Sequence, residues 1–475
     1  MAAWLLVSTL VASAVADCSN YLSNEELGEY LATTASLEPA LASIYSIGYT
    51  EQRWDIPVLE LSAAESTEQV PNVKFIGGVH GDEAIGTQVL ISFIEYLMDA
   101  YRREERFVTW LLNNTRIHIL PRLNLDGYQL AIEGVCALGP GRNNTAGYDL
   151  NRAFLPKGDF VSEADAVMTW LRSESDVFVL SATVNAGEMV VVYPPDNMED
   201  FGGKNTTLDD DVFKHLASVY ARNHKSMSTS NGCKNGIFNN GTINGVDWYP
   251  VKGSMQDYNY KSGTMELTLE ISCCKYPPSD QMCSIWDENK LALLKLAAES
   301  CRGVRGRVID ASEKPIAGAK ISILGRNMTV RTNDQGYYFR ILLPGRYFIK
   351  VEAETMKTFI KEFFVPNSDT AFLKWEVLNV TLVVDTTLYP ASHDNAPEER
   401  TISYDEGGLD PNTTSTYDDS YSSSPDDSYP KAGLITGAAS TKYHNNFYSI
   451  FIVIFCKYLI DSILTGLVHT NCILF

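Results

Sequence analysis

Asn72–Tyr101 reads NVKFIGGVHGDEAIGTQVLISFIEYLMDAY. It opens as a strand-like apolar run, VKFIGGV, and continues over 84–101 as a helical stretch. Between the two stand His80 and Glu83, spaced as H-x-x-E. The junction of a strand end and a helix start is a place where side chains converge on a cleft without being sealed off from solvent. On spacing alone the pair is a common accident, and a surface loop explains it as well as a metal site does.

Strand-like runs alternate with amphipathic helical stretches throughout residues 17–300, for example TRIHILP at 115–121 and DVFVLSATV at 176–184. That alternation predicts an α/β domain with a mixed or parallel sheet. Residues 301–384 change character: VRGRVID, AKISIL, GYYFRIL, RYFIKVEA, TFIKEFFV and FLKWEVL are short alternating runs parted by turn signals such as SEKP, NDQG and LPG. They predict a small all-β sandwich. Residues 385–445, rich in Ser, Thr, Asp, Tyr and Pro, lack the apolar surface to offset ordering entropy and read as a disordered stalk.

Both ends carry targeting character. Residues 1–16, MAAWLLVSTLVASAVA, form an apolar run closed by small residues, which reads as a secretory signal peptide although no basic residue precedes it. Sequons at Asn113, Asn143, Asn205, Asn240, Asn327, Asn379 and Asn412 fit the same route, each weak alone. Seven of the nine cysteines fall between Cys18 and Cys301, and in an oxidising compartment most should pair, with one left over by the odd count. The apolar tail, 446–475, follows small residues Gly437–Ser440 and matches a glycosylphosphatidylinositol attachment signal. A spanning helix is the competing reading, penalised by Lys457 and Asp461, which are spaced to pair on one helix face. The lipid anchor is favoured. A formal charge of −21 excludes a nucleic-acid partner, and 45% hydrophobic content is ample for a packed core.

Six segments occur in order: VHGDEAIG, NTRIHILPRLNLDGY, GRNNTAGYDLNRAF, VVYPPDN, VDWYPVKGSMQDYNY and LTLEISCCKYP. Together they resemble the zinc carboxypeptidases of the carboxypeptidase N/E group, over residues 40–384 or so. The resemblance implies a mixed-sheet α/β carboxypeptidase domain followed by a transthyretin-like sandwich. It also implies one zinc ion, an extracellular membrane-tethered location, and peptides or proteins ending in Arg or Lys as partners. Loop departures, NLDG for NPDG and DLNRAFLP for DLNRNFP, adjust turns rather than chemistry.

Residue by residue, the resemblance makes His80 and Glu83 metal ligands. It makes Glu270 the general base that takes a proton from zinc-bound water. Arg142 would polarise the scissile carbonyl, while Asn151 and Arg152 would hold the terminal carboxylate. Tyr249 would close over the bound terminus, and Asp196 and Gln256 would line the pocket for a basic side chain. Read alone, the alternation in TMELTLEIS makes 264–272 only a half-exposed strand, and Asp196 after two prolines is equally a turn cap.

One position breaks the pattern. The segment VLSATVNAGEMVVVYPPDN, where a third ligand should stand, supplies Asn185. An amide oxygen is a neutral, weak donor, whereas zinc prefers imidazole, thiolate or carboxylate. None of the other histidines, His118, His215, His224, His393, His444 and His469, falls in that segment, and Glu188 would need the loop to bulge. Two readings therefore stand: a hydrolase releasing C-terminal Arg or Lys, and a weakened pseudo-carboxypeptidase that binds peptide C-termini.

Overall fold

A computed structural model describes residues 20–155, 157–172, 177–230, 232–233, 238–367 and 372–385. The signal peptide, the stalk from residue 386 and the apolar tail lie outside the described residues. Helix α1 (Asn24–Leu37) starts on a capping box: the Ser23 hydroxyl accepts from the Glu26 N–H at 3.2 Å, and the Glu26 carboxylate accepts from the Ser23 N–H at 2.8 Å. Strands β1 (Ala42–Tyr49), β2 (Asp55–Leu61) and β3 (Asn72–Gly77) follow, then helices α2 (Ala84–Arg102) and α3 (Arg106–Asn114). Next come β4 (Arg116–Leu120), the short α4 (Leu125–Tyr128), α5 (Ser162–Leu171), β5 (Phe178–Asn185) and β6 (Glu188–Tyr193). The domain closes with α6 (Asp210–Asn223), β7 (Thr242–Asn244), the short α7 (Gly245–Trp248), α8 (Met255–Lys261), β8 (Met265–Ser272) and α9 (Met282–Ala298).

The eight strands form one mixed sheet in the order β1-β2-β4-β3-β5-β8-β6-β7. Strands β4, β3, β5 and β8 are mutually parallel, so their carboxyl ends share one edge, with Gly77 opposite Val184 and Asn185 opposite Glu270. Open α/β sheets bind ligands outside that edge.

Strand β8 corrects the sequence reading. Every residue from Met265 to Ser272 is buried, not half-exposed: α8 packs against the strand, and Thr268 and Glu270 line an internal cavity rather than the outer surface. Burial of Glu266 is answered from β3 by Lys74, whose ammonium also donates to Asn259 Oδ1 at 2.5 Å. Desolvation pulls Lys74 down to about 7, against the opposing charge of Glu266.

Beyond α9 the chain builds two small sheets. One has the order β11 (Thr329–Arg331), β10 (Lys320–Ile323), β13 (Gly345–Glu352), β14 (Phe359–Val365). The other has β12 (Tyr337–Arg340), β9 (Val304–Asp310) and β15 (Glu376–Val377), with β16 (Val380–Leu382) also beside β9. All six predicted strands are present, and β11 and β16 are additions too short to show alternation. Arg340 of the sandwich reaches Asp209 of the α/β domain at 2.5 Å with both side chains fully buried, and Tyr260 donates to the same carboxylate at 2.8 Å. A buried pair so bonded fixes geometry more than it adds stability.

Candidate active site

Three strand ends deliver one end of a cavity of about 400 Å³. His80 and Glu83 stand between β3 and α2, Glu83 at the helix N-cap. Asn185 ends β5 and Glu270 lies beside it on β8, and all four side chains line the cavity. The other end is lined by Arg142, Asn151, Arg152, Asp196 and Tyr249. The structure thus brings together every predicted site residue except Gln256.

His80, 4% exposed, is held between two carboxylates. Its Nε2 is 3.0 Å from Asp149 Oδ1, and its Nδ1 faces Glu83 Oε1 at 2.9 Å. A carboxylate fixing one ring nitrogen so that the other faces forward is the outer-shell arrangement of metal-ligating histidines. Asp149 does more: it accepts from Arg142 at 2.8 Å and from the Asn151 N–H at 3.0 Å. The sequence reading passed over Asp149, although its place beside Asn151 and Arg152 in DLNR was the signal. Burial alone would raise the Asp149 carboxyl; the hydrogen bond and charge of His80, with Arg142, instead hold it well below the usual range. His80 is correspondingly raised, since Glu83 and Asp149 outweigh the desolvation that favours its neutral form.

Both Glu83 oxygens are engaged. Oε2 accepts from the Ala186 N–H at 3.1 Å, while Oε1 takes the ammonium of Lys275 and lies 3.7 Å from Arg142. Desolvation would raise this carboxyl, yet His80 and Lys275 bring it down to about 2. Glu270 moves the other way, to about 8, because burial and then the charge of Glu83 disfavour its ionised form.

Asn185 is 3% exposed and its Oδ1 has no hydrogen-bond partner. Glu188 also lines the cavity, but its Oε1 is taken by the N–H groups of Met189 (3.0 Å) and Cys233. His118 bonds Tyr45 at 2.7 Å, His215 bonds Glu299 at 2.9 Å, and His224 Nδ1 accepts from the Met227 N–H at 3.1 Å. Among the described residues no three His, Cys, Asp or Glu side chains are arranged so that they could hold one metal ion. The donor chemistry decides the fit: one imidazole and one already-bonded carboxylate face an unpartnered amide oxygen, short of the three strong ligands a zinc site takes.

The recognition end is tightly built. Arg152 donates to the Asn151 carbonyl at 2.9 Å, and the Asn151 side-chain oxygen accepts from the Met255 N–H at 3.0 Å. Asp196 is 6% exposed, and Gln256 Nε2 donates to its Oδ1 at 2.9 Å. Gln256 therefore sits behind Asp196, 1% exposed, rather than on the pocket wall, a correction to the sequence reading. The turn role belongs to Asp257, which accepts from the N–H groups of Asp196 and Asn197, each at 2.9 Å. Burial, then the charge of Asp257, pushes Asp196 up to about 8. Gly245 is required here, since a Cβ would stand 1.9 Å from Asp196 Oδ1. Tyr249, 46% exposed beside Trp248, is raised to about 12, first by burial and then by Glu270.

Two disulfides frame the cavity, Cys136–Cys274 and Cys233–Cys273; Cys283 is also disulfide-bonded, and Cys301 is a buried free thiol.

Comparison with known proteins agrees with this architecture. A zinc carboxypeptidase family model matches residues 27–292, and a carboxypeptidase regulatory-like domain, a transthyretin-like all-β unit, matches 303–382. The chain is 35% identical over 367 residues to carboxypeptidase M of Mus musculus, covering 74% of this chain and 82% of that protein. It is 35% identical over 356 residues to the carboxypeptidase N catalytic chain of Homo sapiens, covering 66% and 76% respectively. With carboxypeptidase D of Mus musculus the identity is 36% over 368 residues, 69% of this chain and 27% of that one.

Proposed function

The chain belongs to the zinc carboxypeptidase family, and from that premise we propose that it binds peptides and proteins ending in Arg or Lys while hydrolysing them poorly. The observation that carries the proposal is Asn185, whose buried, unpartnered amide oxygen stands where the family's third zinc ligand is expected. The recognition residues are all kept. Arg152 and Asn151 receive the terminal carboxylate by charge-assisted hydrogen bonds, and Arg142 faces the last peptide carbonyl. Asp196 faces the cationic side chain, and Tyr249, exposed at the rim, covers the bound end. Zinc, the family's metal, would supply a polarised water here; with two of three strong ligands left it binds substantially more weakly than at a His/Glu/His site.

A second reading, a working hydrolase, is favoured by Glu270. Its carboxyl lines the cavity beside Asn185, where the resemblance puts the general base. Burial and then Glu83 raise it to about 8, so it serves as a base near neutrality once an added positive charge in the cavity lowers it.

We place the protein at the cell surface, carried there by its signal-like N-terminus and tethered by the C-terminal lipid-anchor signal. Among the described residues no helix is long and apolar enough to cross a membrane.

Calorimetry with peptides ending in Arg, Lys, Phe and Leu tests the binding role, and release of free Arg tests the hydrolytic one. Tighter binding of basic ends with little turnover is expected. Equal affinity for basic and apolar ends defeats the specificity, and brisk turnover with stoichiometric zinc surviving a mild chelator defeats the weakened-enzyme reading.

A further inference from the structure

Lys275 enters the ligand end of the cavity with its ammonium on Glu83 Oε1 and 3.9 Å from Asp82 Oδ2, its side chain 10% exposed. The fold puts it there. Cys273 and Cys274, immediately before it, are each cross-linked, to Cys233 and Cys136. Its carbonyl accepts from the Ile85 N–H at 3.3 Å, at the first turn of α2, two residues past Glu83. Its stem crosses Gly187, whose φ of +125° suits glycine and where a Cβ would stand 3.2 Å from Lys275 Cε. A lysine bound at both backbone neighbours and along its stem is a fixture, not a surface arm.

We propose that Lys275 is the resident cation of this cavity, so that it receives peptide C-termini without a metal. The proposal rests on the C-terminus-binding reading above. Asp82 and Glu83 are both nearly sealed from water, at 4% and 2% exposure, and neither Asp82 oxygen has a hydrogen bond. Buried carboxylates left without a counter-charge are strongly destabilising. In a zinc site the metal supplies much of that counter-charge; here the ammonium already occupies the Glu83 oxygen that faces His80 Nδ1. A divalent ion would have to share that oxygen with a fixed positive charge. Asn185, being neutral, adds no further demand for a cation. Glu83 is countered by Lys275 together with His80 and Arg142, and Asp82 lies 3.9 Å from the same ammonium. The negative charge of a peptide's terminal carboxylate therefore meets Arg152 with less repulsion from the ligand end.

The test uses the purified full-length protein and a peptide ending in Arg, titrated by fluorescence anisotropy with and without EDTA. Wild-type affinity is expected to stay within about twofold when EDTA is added. Lys275→Met should lose at least about tenfold in EDTA and recover when zinc is supplied, while Lys275→Arg stays near wild type. If wild type loses its affinity in EDTA and zinc restores it, the metal is the resident cation; this proposal falls and the C-terminus reading stands. If wild type binds the peptide under neither condition, the C-terminus reading fails and takes this one with it. Should Lys275→Met fail to fold, by circular dichroism, the wild-type and Lys275→Arg titrations in EDTA decide alone.

Discussion

At the recognition end of the cavity, Arg142, Asn151 and Arg152 come from one stretch of chain; the Asp149 carboxylate holds Arg142 and the Asn151 N–H, and Arg152 donates to the Asn151 carbonyl. At the ligand end, His80, Glu83, Asn185 and Glu270 come from separate strand ends and meet only because β3, β5 and β8 run parallel. Asp149 joins the two ends, since it also holds His80 Nε2. Keeping the clamp therefore keeps His80 oriented, whether or not a metal follows. Asn185 belongs to no such shared network, and its oxygen bonds nothing. On the proposed reading, the asparagine at that position would leave binding intact while weakening the chemistry, so that the two halves become separable.

Restoring the missing ligand gives the largest expected effect. Asn185→His should raise zinc affinity by at least about 10²-fold, more than the 10–100-fold typical of an outer-shell partner, and raise release of Arg from a peptide substrate by orders of magnitude. Chelator competition and an amino-acid release assay measure the two. If wild type already matches the variant, the halves are not separable and the enzyme reading stands.

Cutting the clamp should act on binding alone. Arg152→Met removes charge-assisted hydrogen bonds worth about 1.5–3 kcal/mol, or roughly 10–10²-fold in affinity. The loss should be the same for peptides ending in Arg and in Phe, because both share the carboxylate. A loss confined to basic ends would move Arg152 out of the clamp.

The pocket floor should show itself through pH. Asp196 stays protonated in the empty pocket up to about 8, and a cationic side chain favours its ionised form. Binding an Arg-ending peptide thus expels a proton, so affinity should rise between about pH 6 and 8, by up to about tenfold per unit, then level off. Asp196→Asn should flatten that slope and spare Phe-ending peptides. A slope that survives the substitution would assign it to another group.

The smallest effect is expected from Glu188→Gln. A glutamine oxygen can accept the same two N–H groups that Glu188 accepts, so zinc affinity should shift by less than about twofold. A larger drop would make Glu188 the substitute ligand.

Local patterns carried far. The strand and helix around His80 and the switch to short alternating strands after residue 301 were legible because each is a feature of contiguous chain, whereas Asn185 stood out only against the family's pattern. Periodicity misjudged β8, where Glu266 and Thr268 look solvent-facing yet are buried, Glu266 fully and Thr268 on the cavity wall. Gln256, which the family resemblance puts on the pocket wall, is placed by helix α8 behind Asp196.

The sequence by itself determined the two-part α/β and β architecture and named the candidate residues, Asn185 at the expected third-ligand position among them. Only the tertiary structure decided how those residues are charged and bonded. The Lys275–Glu83 contact spans 192 positions and the His80–Asp149 contact 69, distances over which no local pattern speaks. The disulfides before Lys275 fix the first contact and the turn that Asp149 caps fixes the second, and burial then sets which carboxyl keeps its proton. Asp196 and Glu270 are raised to about 8 while Glu83 falls to about 2, because each shift depends on the charges folded against it.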